Sequence, residues 1–186
     1  SLLKTAQGEA KQLDWLVQNL LDMTRLEGGA IRVKAEPCDV HDVVASALRQ
    51  LGESARSHAI FVNMAPGLPL VPLDDVLMVQ VLVNLLDNAL KYSPAGAPVE
   101  IQARQAAGQL EIAVLDRGRG IPGGELDRVF DKFYRVAVPG APKGTGLGLS
   151  ICKGFVEAHN GSIFAKRRTE GGTEIAVFLP LEKRCE

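Results

Sequence analysis

An α+β fold is predicted for this chain of 186 residues: a two-layer sandwich whose mixed, mostly antiparallel sheet carries helices on one face. Three observations predict it. Two pairs of period-two segments, Val99–Arg104 with Leu110–Asp116 and Ser162–Arg167 with Thr173–Leu179, are each separated by a glycine-containing turn. Two helical patterns, Asp74–Tyr92 and Gly146–His159, lie between strand segments rather than alternating with single parallel strands. No βαβ crossover pattern surrounds the glycine-rich stretch at Lys143–Leu149.

Residues 2–27 come first. Apolar positions at Leu2, Leu3, Ala6, Ala10, Leu13, Leu16, Val17, Leu20 and Leu21 recur at threes and fours, and Gly28-Gly29 ends the pattern. A lone amphipathic helix of this length needs a partner, either a second helix or the domain that follows. Ser1 falls inside the helical pattern, which suggests a piece of a longer chain. Ala30–Glu36 reads as a short strand broken by Pro37. Asp39 is placed to cap a helix through Val43, Val44, Ala47 and Leu51. Ile60–Met64 and Leu70–Leu73 read as strands around a Pro-Gly turn, and Asp74 caps the long helix ending at Tyr92. After the first hairpin, Glu125–Phe130 reads as a short helix. Val136–Lys143, with two prolines and Gly140, predicts a mobile loop. The helix Gly146–His159 closes at Asn160-Gly161 before the last hairpin.

Composition narrows the function. Hydrophobic residues make up 46%, enough for one good core, and the net charge of −1 leaves no footprint for a phosphate-backbone partner, so nucleic acid is excluded. Cys38, Cys152 and Cys185 lack metal-ligand spacing and read as reduced thiols. The chain has no run of about 18 apolar residues.

Three stretches carry chemistry. In NLLDNALKYS, Asn84, Asn88 and Lys91 fall on one helical face. Asparagine forms helices poorly, and a surface accident explains one mid-helix asparagine more readily than two. Their amide oxygens suit Mg²⁺, a hard cation that keeps waters and substrate phosphates in its shell. Lys91 can balance phosphate charge, and Tyr92 is as fit for a core as for a ribose or phosphate contact. Asp87 beside them reads equally as a solvated charge.

DRGRGIP, Asp116–Pro122, follows an apolar strand. Alone it is weak, since Asp and Gly are ordinary turn residues. In company, a strand-end carboxylate can accept from an exocyclic adenine amine and reject the guanine carbonyl, by about 1–3 kcal/mol. Lys143-Gly144-Thr145-Gly146-Leu147-Gly148-Leu149 matches neither the dinucleotide fingerprint nor the P-loop. It runs into a helix, where exposed N–H groups bind anions, while Leu147 and Leu149 anchor the loop in the core. Together these features describe a nucleotide pocket. Phe130-Asp131-Lys132-Phe133-Tyr134-Arg135 reads as core or as a lid hinge. His41, His58 and His159 read as surface or capping residues, none of them catalytic.

NLLDNALKY, DRGRGIP, FDKFYR and KGTGLGLSI, in this order, resemble the N, G1, F and G2 boxes of sensor histidine kinases, and EGGTEIAVFLP resembles the strand pair that closes their domain. The resemblance implies the GHKL (Bergerat) ATP-binding fold shared with DNA gyrase, Hsp90 and MutL. LVQNLLDMTRLEGGAI and PLDDVLMVQVLVNLLDNALKYSP are similar to the potassium-responsive, KdpD-type subfamily.

That resemblance implies residues 1–29 as the second helix of a dimerisation hairpin and 30–186 as the catalytic domain. It implies ATP and Mg²⁺, with Asn88 as the main metal ligand and Asn84 beside it. Lys91 and Tyr92 would contact phosphate and ribose, and Asp116 adenine N6. Gly118, Gly120 and Ile121 would flank the purine, and Thr173 would support it through water. Lys143, Gly144, Thr145, Gly146, Leu147, Gly148 and Leu149 would shape the phosphate contacts. Gyrase-like relatives typically carry a water-activating glutamate at the position of Asn84; an amide there favours phosphoryl transfer over hydrolysis.

The family's phosphoaccepting histidine lies in an H-E/D-x-x-T-like box on the first dimerisation helix, and no such box occurs here. The chain is therefore expected to bind ATP without phosphorylating itself. Implied partners are the first dimerisation helix, a second copy in the full-length dimer, and a KdpE-like response regulator. The implied setting is the cytoplasmic side of an inner-membrane-anchored bacterial sensor, touching membrane only through other parts of the parent. A gyrase- or Hsp90-type ATPase and a non-catalytic nucleotide-binding regulatory module remain alternatives.

Overall fold

The computed structural model describes residues 2–52, 58–137 and 144–182. Its elements run α1 (Leu2–Glu27), β1 (Glu36–Cys38), α2 (Val40–Leu51), β2 (Ile60–Met64), β3 (Val71–Leu73) and α3 (Asp75–Tyr92). They continue with β4 (Val99–Ala106), β5 (Gln109–Leu115), α4 (Gly148–Ala158), β6 (Ser162–Arg167) and β7 (Thr173–Pro180). Five strands form one sheet in the order β2-β4-β5-β7-β6, and β1 and β3 form a separate ribbon. Only the β2–β4 pairing in the large sheet is parallel, so the mixed, mostly antiparallel expectation holds.

The period-two pattern explains which side is covered. Val99 and Ile101 of β4, Leu110, Ile112 and Val114 of β5, and Val177 and Leu179 of β7 face one way and are buried. Against them pack Met78, Leu82, Leu85 and Leu86 of α3, with Ile151 and Phe155 of α4. Burying each large apolar side chain stabilises the fold by roughly 1.5–3 kcal/mol. The opposite sheet face holds a smaller cluster, Ala113, Leu115 and Ala176 with Phe178, flanked by the ion pair of Arg104 with Glu111.

Both predicted N-caps are present. The Asp39 carboxylate accepts from His41 N at 2.8 Å, and that of Asp74 from Leu77 N at 3.2 Å. His159 proves buried rather than superficial, and it does cap: its Nδ1 donates to Phe155 O at 2.7 Å and its Nε2 accepts from Asp74 N at 3.0 Å. That pair of bonds ties the end of α4 to the start of α3.

Three local expectations need correction. Residues 30–35 are not a strand; β1 starts at Glu36 and includes Pro37, which pairs opposite Pro72 in a two-stranded ribbon. An edge position needs no ladder hydrogen from proline, so neither one breaks it. β2 and β3 do not pair with each other: β2 joins β4, and β3 joins β1. Glu125–Phe130 forms two 3₁₀ turns, Gly123–Glu125 and Arg128–Phe130, instead of a helix. The predicted mobile loop lies outside the described residues from 138 to 143, as does Cys185.

Both proposals for α1 have a physical counterpart. Its C-terminal end lies on the domain: Met23 is buried, Leu26 packs over Gly154, and Glu27 Oε1 meets Lys132 Nζ at 2.6 Å. One face of its middle is left uncovered, with Leu13, Val17, Leu20 and Leu21 46–63% exposed while Asn19 between them is buried.

Candidate functional site

One cleft gathers the three stretches singled out by sequence. It is lined by Asn84, Asn88, Lys91 and Tyr92 from α3, by Asp116, Gly120 and Ile121 from the end of β5 and its loop, by Gly144, Thr145, Gly146, Gly148 and Leu149, and by Thr173 of β7. The α3 residues arrive together because positions 84, 88 and 91 follow the helical repeat while Leu82, Leu85, Leu86 and Ala89 fix the helix in the core.

At the α3 wall, Asn84 is 3% exposed, and its amide nitrogen has the Cys152 sulfur as a weak partner and no other among the described residues. A buried donor left unpaired costs about 1–3 kcal/mol, a deficit that a bound ligand or water relieves. Burial pushes the neighbouring Cys152 thiol up to about 12, so it stays protonated at neutral pH. Lys91 is paired with Asp87 one turn earlier, so the residue read as a solvated charge holds the lysine at the rim.

Asp116 stands at the opposite wall and is 8% exposed. Its Oδ1 accepts from Gly118 N at 2.7 Å and from Thr173 N at 3.1 Å. Burial raises its pKa above the usual 3.8, while those hydrogen bonds and the Arg168 guanidinium act in the lowering direction. Gly118 itself does not line the cleft. A Cβ there would lie 2.5 Å from Tyr92 O, so its bareness lets the Asp116 loop touch the last turn of α3.

The glycine-rich segment crosses the aromatic one. Phe133 N donates to Gly146 O at 3.1 Å, and a Cβ on Gly146 would sit 2.6 Å from Phe133 C. Leu147 is buried in the core and does not face the cleft, matching the anchoring role read from sequence; Leu149 is half-buried and lines it. Lys143 lies outside the described residues. Sequence reasoning left Tyr134 between core and hinge and did not select Arg119 or Arg135, yet all three line the cleft. Arg128 lies over the Tyr134 ring at 4.3 Å. The signal for Arg119 was its place between the two glycines that turn the loop.

Chemically, the cleft offers amide groups at one wall, a carboxylate at the other, and main-chain N–H groups at a helix start between them. The residues fit a nucleotide with a hard cation: amide oxygens suit Mg²⁺, and the Asn84 NH2 leaves a donor for a phosphate oxygen or water.

A sequence model described as histidine kinase-, DNA gyrase B-, and HSP90-like ATPase matches residues 73–183. The chain is 42% identical over 171 residues to the sensor protein KdpD of Escherichia coli (strain K12), covering 92% of this chain and 19% of that protein. It thus spans about a fifth of the length of that curated relative. The solved mycobacterial sensor histidine kinase MprB is 32% identical with a TM-score of 0.69, covering 78% of this chain and 97% of that one. Full-length ShkA, solved in complex with AMPPNP, has the same fold with a TM-score of 0.81 at 24% identity, covering 94% of this chain and 37% of ShkA.

Proposed function

From the premise that this chain belongs to the histidine kinase-, DNA gyrase B- and HSP90-like ATPase family, we propose that it is the ATP-binding catalytic portion of a two-component sensor histidine kinase similar to KdpD. It delivers the ATP γ-phosphoryl to a histidine on another helix, for relay to a response regulator. The observation that carries this reading is the single cleft joining Asp116 and Thr173 to Asn84 and Asn88 across the glycine-rich segment.

Each wall has a task. Asp116, oriented by two main-chain N–H groups, accepts from the purine amine and selects adenine. Asn88, with Asn84 behind it, holds Mg²⁺, which would neutralise charge on the phosphates. Lys91 and the main chain of Gly144–Gly148 orient the triphosphate, and Tyr92 borders the ribose. Gly120, Ile121 and Leu149 exclude water from the base. A carboxamide cannot take a proton from water, so Asn84 supports transfer to a positioned acceptor over hydrolysis.

Residues 1–29 are proposed as the second helix of the dimerisation hairpin and 30–186 as the catalytic domain. The exposed Leu13, Val17, Leu20 and Leu21 support a helical partner for α1. The acceptor is taken to come from elsewhere, since none of His41, His58 and His159 lies in an H-E/D-x-x-T-like box and His159 is committed to two structural bonds. In the parent protein the domain works on the cytoplasmic side of the membrane.

The test mixes this chain, labelled ATP and Mg²⁺ with a separate polypeptide bearing a phosphoacceptor first helix. Label on that polypeptide's histidine, and none on this chain, is expected. Steady ATP hydrolysis without transfer would instead support the gyrase-type reading.

A further inference from the structure

Asp116 is held from behind by a residue that never reaches the cleft. Arg168 begins the turn between β6 and β7 and its side chain is 12% exposed. Its Nη1 donates to Asp116 O at 2.8 Å, and its Nη2 lies 3.5 Å from Glu100 Oε1 on β4. Its main chain also closes the turn, with Arg168 N donating to Gly172 O at 3.1 Å and Gly171 N to Arg168 O at 3.3 Å. Glu100 is shared with Arg117, whose Nη2 lies 3.6 Å away while its Nη1 donates to Glu170 at 2.8 Å.

We propose that Arg168, braced by Glu100, is a positioning residue for the cleft carboxylate: it clamps Asp116 through the main-chain oxygen and so holds a guanidinium beside this residue. The proposal rests on the reading of the cleft as an adenine site.

The surroundings single out this guanidinium. On the Asp116 loop, Arg117 is turned to Glu170 and Glu100, and Arg119 lines the cleft. On β7, Thr173 supplies its N–H, while Glu174 is paired with Lys166. On α3, Lys91 is paired with Asp87, and Tyr92 presents its main-chain oxygen to Gly118. Arg135 lines the cleft as well, and among the described residues Arg168 is a full charge acting on the Asp116 carboxyl, opposing the effect of burial. A carboxyl must be ionised to accept strongly from an amine, so the clamp sets both where Asp116 points and the pH range in which it works.

Arg168→Met, Arg168→Gln and Arg168→Lys, each made in the whole chain, test this. Gln keeps an N–H donor for the Asp116 oxygen, so a folded uncharged variant is available if Met unfolds the turn. Two measurements are made. The first is the carboxyl-carbon NMR titration of Asp116 without nucleotide; the second is the affinity for a non-hydrolysable ATP analogue across pH.

In Met and Gln the Asp116 titration is expected to move to higher pH, with affinity at neutral pH about five- to tenfold weaker. The acid-side fall in affinity moves with the titration, and Lys restores the wild-type midpoint. Asp116 titrating at the wild-type pH in both Met and Gln variants overturns the proposal. So does equal loss in Lys, Gln and Met with an unmoved pH profile, the mark of a purely structural turn. If the wild-type chain does not bind the analogue, the adenine-site reading fails, while the NMR titration still decides the clamp.

Discussion

Asp116 and Thr173, 57 positions apart, are joined by hydrogen bonds running in opposite directions. Asp116 N donates to Thr173 O at 2.9 Å, and Thr173 N donates to Asp116 Oδ1 at 3.1 Å. The first extends the β5–β7 ladder beyond the paired Leu115 and Glu174, and the second aims the carboxylate. The site is thus an extension of the sheet, and its rigidity is that of the sheet.

Replacing Asp116 by Asn removes the charged acceptor and offers the purine amine an amide instead. Affinity for adenosine triphosphate is expected to fall by about 1–3 kcal/mol, and discrimination against the guanosine nucleotide to narrow, because the amide NH2 can face the guanine carbonyl. Calorimetric titration of both nucleotides checks this; unchanged affinity contradicts the assigned role.

The pH dependence follows from burial. The folded-state pKa of Asp116 is raised above 3.8, so the native state binds its proton more tightly than the unfolded chain does. The stability contributed by this carboxyl is present below the unfolded value and is lost as pH rises through the folded one. Nucleotide affinity runs the other way, falling as pH drops through the raised value and the acceptor is protonated. Urea unfolding and calorimetry across that window, on wild type and Asp116→Asn, should show the Asp116 part of each slope lost in the variant.

Two adjacent glycines separate strain from collision. Gly171 and Gly172 have φ of 89° and 96°, but a Cβ on Gly171 meets nothing within 4 Å, whereas one on Gly172 would lie 2.0 Å from Asp116 O. Gly171→Ala is expected to cost about 1 kcal/mol and Gly172→Ala about 3 kcal/mol or more, with loss of nucleotide binding only in the second. Thermal melts and binding assays on the pair decide it. Equal effects would refute the account of this turn.

Asn88→Ala should leave metal-free nucleotide binding near the wild-type level and remove the gain that Mg²⁺ confers. Titration with and without Mg²⁺ measures the difference. An undiminished metal effect would place the cation elsewhere.

Cys152, fully buried with its thiol pushed up to about 12, should resist alkylation at pH 8 until the chain unfolds. Mass spectrometry of iodoacetamide-treated native protein would reveal any modification there.

Much of this was legible without coordinates because it is local. Asp39 and Asp74 announce their helices because a capping carboxylate bonds a main-chain N–H two or three residues on. The two hairpins follow from alternation and glycine turns. The misreadings are non-local. Pro37 reads as a breaker unless its edge partner is known, and β2 and β3 read as neighbours unless one sees that each has a partner elsewhere. His159 carries no sequence sign of the bond it makes to Asp74, 85 positions away.

By itself the sequence singled out most of the elements, the acid at Asp116, the pair Asn84 and Asn88, and the glycine-rich segment, since propensity, capping and short spacings act within a few residues. The tertiary structure alone decided that Asp116 is held by Thr173, Gly118 and Arg168, that Gly118 serves contact with Tyr92 instead of the cleft, and that Tyr134, Arg119 and Arg135 complete the lining. Those relations depend on which strands lie side by side and how closely two backbones approach, and that is set by the packing of the whole core.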